Sequence, residues 1–275
     1  DKGEPTVRKS FFIRMFALLV AGILLCLCMA GCKEKKTPSS GGNTGNQLGD
    51  EIILSAFWPP MEGFMTDEQF INLQEACIDL LEWGPDPIFS GKQTIKDMLR
   101  LTEKYGIKVT IADSDFVNWT EKSEKEIIKL VNRYKDHPSV VGYFIQDEPY
   151  NASPLGRILR TMLEVDPGCI PQMNLLPPIP AVEDPRGYAE DWISSVGTEM
   201  DAYLSFDQYP LGIEKGSYPG NMFQNIELIW SIGLKYDVKT AIYIQSTGAD
   251  SEKASYRRPT VEETRFLTSS ALAYG

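Results

Sequence analysis

Carboxylates, amides and aromatic rings recur in this sequence just after short apolar runs. Trp58 follows the run 52–57; Trp83 closes the run 78–83, with Asp86 beyond it; Asp113 and Asp115 follow 108–112. Gln146, Asp147 and Glu148 follow 140–145, and Asn174 lies at the end of 170–175. Asp207, Gln208 and Tyr209 follow 202–206, and Gln245 follows 240–244. Adjacent carboxylates repel one another, so one of them keeps its proton towards neutral pH and can serve as a general acid. Aromatic faces beside carboxylates and amides suit a sugar, whose C–H face stacks while its hydroxyls need paired donors and acceptors. No cluster of basic residues is present to hold a phosphate. Histidine occurs once, as His137 before Pro138, where it reads as a helix-end residue. A His-built metal centre is therefore excluded, while a carboxylate-built one using Asp113, Asp147 and Glu148 stays open. No cofactor is implied.

The apolar runs alternate with amphipathic stretches at 67–76, 94–105, 123–134, 154–164, 186–196, 221–234 and 260–273, which read as helices. Thr66-Asp67-Glu68-Gln69 has the form of a capping box, and Lys104-Tyr105-Gly106 that of a glycine-terminated helix end. Strands that are apolar throughout, each followed by a helix, predict a parallel sheet covered on both faces or closed on itself. Seven such units in residues 51–275 average about 32 residues each, close to one eighth of a (β/α)8 barrel. Phe57-Trp58-Pro59-Pro60 stands where a dinucleotide fold would carry its glycine-rich turn. The expectation is a (β/α)8 TIM barrel, an α/β fold, that stops before its eighth strand. In such barrels the site lies at the C-terminal ends of the strands, where the polar residues above fall.

The segment HPSVVGYFIQDEP, residues 137–149, resembles the fourth strand of the large clan of (β/α)8 glycoside hydrolases, in which a strand leads into Asn-Glu-Pro. The likeness extends loosely over residues 51–275, including Asp207-Gln208-Tyr209-Pro210 after the sixth run. It implies hydrolysis of O-glycosidic bonds with Glu148 as general acid/base. Asp147 stands where the clan has the Asn that contacts the substrate's 2-hydroxyl. The clan's nucleophile is a Glu at the end of strand seven, and this chain has Tyr243-Ile244-Gln245-Ser246 there. An amide cannot attack an anomeric carbon, so a second carboxylate must come from Asp207, Asp113 or Asp250. The alternatives are a carbohydrate-binding barrel without turnover, or the carboxylate–metal hydrolase. Read this way, Glu148 and Asp207 are the catalytic candidates. Trp58, Trp83, Asp113, Asp147, Asn174, Tyr209 and Gln245 are the substrate-binding ones.

Arg8, Lys9 and Arg14 precede an apolar run over 16–30, too short to span a bilayer as a helix, which is the anatomy of a signal peptide. It ends in Leu27-Cys28-Met29-Ala30-Gly31-Cys32, which resembles the bacterial lipobox. The resemblance implies cleavage of residues 1–32 and lipidation of Cys32, here expected as palmitate labelling. Residues 33–50, KEKKTPSSGGNTGNQLGD, have no apolar periodicity and read as a flexible tether. The expected address is therefore extracytoplasmic, on a bacterial membrane through a lipid anchor. The leader holds four basic and two acidic residues, so the remainder carries 23 basic against 36 acidic, a net of −13. A surface this acidic repels phosphate backbones, which excludes nucleic acid as a partner and leaves carbohydrate. Cys77 and Cys169 remain after the leader and read as two buried thiols.

Overall fold

A computed structural model describes residues 52–61, 63–84, 92–113, 115, 119–200, 203–212, 221–250 and 255–274, all within the unit Thr44–Gly275. The leader, the lipobox Cys32, the whole of the tether 33–50 and Asp86 lie outside the described residues, as do the side chains of Trp83 and Asp250.

Seven strands alternate with helices: β1 Ser55–Phe57, α1 Asp67–Glu75, β2 Leu80–Gly84, α2 Lys92–Tyr105, β3 Lys108–Ile111, α3 Glu124–Tyr134, β4 Val140–Asp147 and α4 Gly156–Val165. Then come β5 Ile170–Leu175, α5 Pro185–Val196, β6 Tyr203–Gln208, α6 Met222–Tyr236, β7 Lys239–Ile244 and α7 Val261–Tyr274. Every neighbouring pair is parallel and the spatial order is the sequence order, β1 to β7. This is the nearly closed wall of a (β/α)8 barrel, with β1 and β7 as its edges. Order without reversal rules out a doubly wound sheet.

Local chemistry sets the element ends. Gly106 takes φ +68° after α2, the left-handed turn that glycine permits at a helix end. Ser123 and Glu126 cap α3 reciprocally. Thr66 accepts from the Gln69 amide at 3.4 Å, one half of the box that its sequence predicts. His137 accepts from the Ser139 amide at 3.2 Å in the turn between α3 and β4.

Along each strand, side chains alternate between two surroundings, as the two-residue period of a strand requires. Ala56, Leu81, Val109, Ile111, Tyr143, Met173, Leu175, Leu204, Phe206 and Ile242 pack outward with the helices in the main core. Between them, Ser55, Glu82, Thr110, Gln172, Asn174, Ser205, Asp207 and Tyr243 point inward. The sheet thus holds its helices through oil and lines its axis with polar groups.

The interior is a connected network. Thr110 donates to Gln172 at 2.8 Å, Gln172 donates to the Tyr243 hydroxyl, and Tyr243 in turn donates to Glu82, which also bonds Ser55. Burial pushes the Glu82 carboxyl up to about 7 although hydrogen bonds from Ser55 and Tyr243 oppose it. Below this layer a small apolar cluster of Leu80, Val141 and Ile170 seals the barrel. Above it, Phe57 meets Phe144 and Tyr243 edge-on, with ring centroids 5.9 and 5.0 Å apart. The two cysteines differ from the expectation of two buried thiols: Cys169 is buried, but Cys77 is exposed in the turn after α1.

Candidate active site

Three carboxyls meet above that interior. Strand β4 runs on through Gln146 and Asp147, so the polar residues of the fourth-strand motif are held by the sheet and not by a loop. Glu148 comes next with φ +44°, a left-handed conformation that turns its side chain away from the strand's alternation. Its amide donates to the Asn174 carbonyl at 2.9 Å, which ties it to β5.

Asn174 is the hub. Buried at the end of β5, its amide nitrogen donates to Asp147 at 3.0 Å and to Asp207 at 2.8 Å. Its side-chain oxygen, Oδ1, is buried with no partner among the described residues. Asp207, also buried, further bonds Glu148 and the hydroxyl of Tyr209. With Asn174 and Tyr209 both donating to it, Asp207 is the acceptor of the carboxyl pair and Glu148 the holder of the proton.

The electrostatics agree with that division. Desolvation, then the charges of Asp207 and Asp147, raise Glu148 to about 8. Much of Glu148 faces open water, which limits desolvation, but the two neighbouring carboxylates push in the same direction. Burial raises Asp147 to about 6, with Asn174 opposing and Asp207 adding to it. Burial and the charge of Asp207 also hold the Tyr209 phenol above its ordinary range. At neutral pH Glu148 thus keeps its proton. Arg157, on α4, donates to the Lys122 carbonyl at 3.3 Å.

Aromatic rings border the cluster. Tyr209 stacks on Tyr256 at 5.1 Å, and Tyr256 belongs to a two-stranded ribbon, β8 Ala249–Asp250 with β9 Ser255–Tyr256. Trp58, half exposed after β1, stacks on Phe57 at 5.7 Å. Both lie at the barrel end where the carboxyls are, since all follow the C-terminal ends of parallel strands.

The structure brings together Asp147, Glu148, Asn174, Asp207 and Tyr209, and takes two expected binding residues elsewhere. Gln245 is fully buried and committed to backbone. Its oxygen accepts from the Leu211 amide at 2.8 Å, and its nitrogen donates to the carbonyls of Arg257 at 2.6 Å, Leu211 at 3.3 Å and Thr247 at 3.4 Å. It clamps the loops after β6 and β7 and has nothing left for a sugar. Asp113 is drawn back by Arg133 at 2.7 Å, by the Tyr134 hydroxyl and by the Asp115 amide at 3.0 Å. Burial alone would raise it, but those partners hold it below the usual carboxylate range. Asp115 shares the same arginine at 2.8 Å. No group of three His, Cys, Asp or Glu among the described residues could hold a metal, and Asp113 is too engaged to join Asp147 and Glu148 in one.

Replacing Gln245 by Ala should strand buried backbone groups, at about 1–3 kcal/mol each where water does not reach. The measurement is thermal unfolding alongside the Glu148 titration. A lower Tm with the titration unmoved is the expected result, and a shifted titration would return Gln245 to the cleft.

The seven-strand wall and its helices match solved glycoside hydrolases. A Bacteroides thetaiotaomicron protein assigned as an alpha-L-fucosidase aligns over 88% of this chain and 89% of its own, with TM-score 0.52 and 14% identity. A beta-galactosidase from the psychrophilic Marinomonas ef1 aligns over 81% of this chain and 52% of its own, with TM-score 0.55 and 12% identity. The fold is that of a (β/α)8 barrel, which these two glycoside hydrolases share. No protein-family model matches the chain, and no curated protein matches it in sequence. At such identities the likeness is one of fold, so the roles of residues in this barrel rest on its own geometry.

Proposed function

We propose that the protein hydrolyses O-glycosidic bonds of an extracellular carbohydrate, with Glu148 as the general acid/base and Asp207 as the second carboxyl. The observation that carries this is the hydrogen-bonded pair itself: Glu148 raised to about 8 and bonded to Asp207, which two donors mark as the acceptor. Glu148 protonates the leaving oxygen, and Asp207 stabilises or attacks the positive anomeric centre on the other side. A direct hydrogen bond leaves no room for a water between the two carboxyls. So close a pair lies nearer the spacing of retaining pairs, about 5–5.5 Å, than that of inverting ones, about 6.5–9.5 Å, and bound sugar must part it to reach the retaining value. Asp147 and the unpartnered side-chain Oδ1 of Asn174 are acceptors for sugar hydroxyls, and Tyr209 and Trp58 supply the stacking faces.

Turnover of a panel of aryl glycosides, with the anomer of the product read by NMR, tests the proposal. Release of the retained anomer supports it. Sugar binding without turnover would favour a carbohydrate-binding barrel, a reading that the absence of a strand-seven carboxylate also supports.

The same proposal places the enzyme outside the cytoplasm, tethered by residues 33–50 to a lipid on Cys32. Labelled palmitate should enter the protein in a bacterial host. Cys32→Ala should abolish that labelling, and its persistence in the variant would remove the anchor from the proposal.

A further inference from the structure

Glu148 occupies a backbone conformation that side chains with a Cβ rarely adopt, so something must hold it there. One tie is its own amide, bonded to the Asn174 carbonyl at 2.9 Å. The second comes from outside the barrel. The Tyr188 hydroxyl, on the first turn of α5, donates to the carbonyl of Pro149 at 2.6 Å and accepts from the Leu176 amide at 3.3 Å. That single oxygen links the residue after Glu148 to the residue just past β5, which carries Asn174.

Tyr188 is itself held by the start of its helix. Asp184 accepts from the Gly187 amide at 3.0 Å and its carbonyl accepts from the Tyr188 amide at 3.0 Å. A Cβ at Gly187 would lie 2.3 Å from an Asp184 carboxyl oxygen, so a larger residue would displace that cap. Pro185 at the first helical position fixes the entry. Burial, with the charge of Glu148 adding to it, pushes the Tyr188 phenol up to about 12, so it stays a donor throughout the working range.

We propose that Tyr188 is a positioning residue for the acid: it touches no substrate, and it holds the Glu148–Pro149 corner so that the Glu148 carboxyl stays against Asp207. The inference rests on the glycosidase reading for its kinetic consequence, but not for its structural one. The groups that face Glu148 are Asp147 on its own strand, Asp207 from β6 and Tyr188 from α5, with Tyr209 reaching Asp207. When the corner relaxes, Glu148 moves away from Asp207 and loses part of the repulsion that keeps its proton. Its titration then falls towards the ordinary glutamate range. A misplacement of about 1 Å is enough to lower a rate by about 10²-fold.

The test is Tyr188→Phe, which keeps the ring and removes the one oxygen. Tyr143→Phe serves as the control, since it too loses a tyrosine hydroxyl, bonded to Asp166 at 3.0 Å and to the Val131 carbonyl at 3.3 Å, on the far side of β4. The Glu148 carboxyl is followed by carbon-13 NMR across pH in the folded proteins, with Glu148→Gln identifying its resonance. Tyr188→Phe should lower the Glu148 midpoint by about one unit, and Tyr143→Phe should leave it in place even if its Tm falls as far. On an aryl glycoside, kcat should fall about tenfold or more with KM nearly constant, and the acid-dependent limb of the pH profile should move with the NMR midpoint. A Glu148 midpoint unchanged in folded Tyr188→Phe would overturn the inference. A shifted midpoint in a protein whose wild type turns over no glycoside would leave the inference standing and sink the glycosidase reading instead.

Discussion

Glu148→Gln should slow hydrolysis of a glycoside with a poor leaving group by about 10²–10⁴-fold. The amide keeps the size of the side chain and can still bond Asp207, but it has no proton to give to the departing oxygen. A substrate such as a dinitrophenyl glycoside needs no such proton, so its departure step should lose far less. The ratio of the two losses is the quantity to measure. If both substrates lose the same small factor, Glu148 is not the acid. The pH dependence has a definite sign: with Glu148 raised to about 8, activity that needs its proton is present below that value and falls as pH rises through it. The variant should lack that limb.

A second large effect concerns stability and involves no substrate. Glu82 is raised from 4.5 to about 7 in the fold, so between those values the folded protein binds a proton that the unfolded chain does not. Stability from this group is therefore complete below about pH 4.5, is lost as pH rises, and has gone by about pH 7. The loss amounts to about 3 kcal/mol. Glu82→Gln carries no charge at any pH, and its amide oxygen can still accept from Tyr243 and Ser55. Urea midpoints at a series of pH values should show the variant matching the wild type near pH 4 and exceeding it by up to about 3 kcal/mol at pH 8. Parallel pH curves for the two proteins would mean that Glu82 is ionised in the fold and that its hydrogen bonds suffice to keep it so.

The barrel was legible because its two strongest signals agree: apolar runs of strand length, and helix ends marked by groups such as Thr66 and Gly106. The first strand shows the limit of that reading. Ile52 and Leu54 extend the apolar run, yet both are exposed and β1 begins only at Ser55, because hydrophobicity does not reveal which residues find a partner strand. Glu148 was readable from its place after a strand and before a proline. Gln245 was not, because its partners Leu211 and Arg257 are set by loop paths that no local pattern encodes. Tyr188 sits in an ordinary helix start, and its reach to Pro149 exists only in three dimensions. The inner polar ladder did leave a trace: Glu82, Thr110, Gln172 and Ser205 interrupt apolar runs at every second position, but a run read for its average hydropathy hides that alternation.

That alternation divides the strands into two independent inheritances. The outward set, with Leu81, Val109, Met173 and Phe206, glues wall to helices and tolerates only other apolar side chains of similar volume. The inward set, with Glu82, Gln172, Asn174 and Asp207, contributes little adhesive contact and can be rewritten as long as its members satisfy one another. One shell can thus be relined while its foundations stay untouched. An experimenter who wants a new specificity should vary the inward positions together, as a hydrogen-bonded set, and leave their neighbours on the same strands alone.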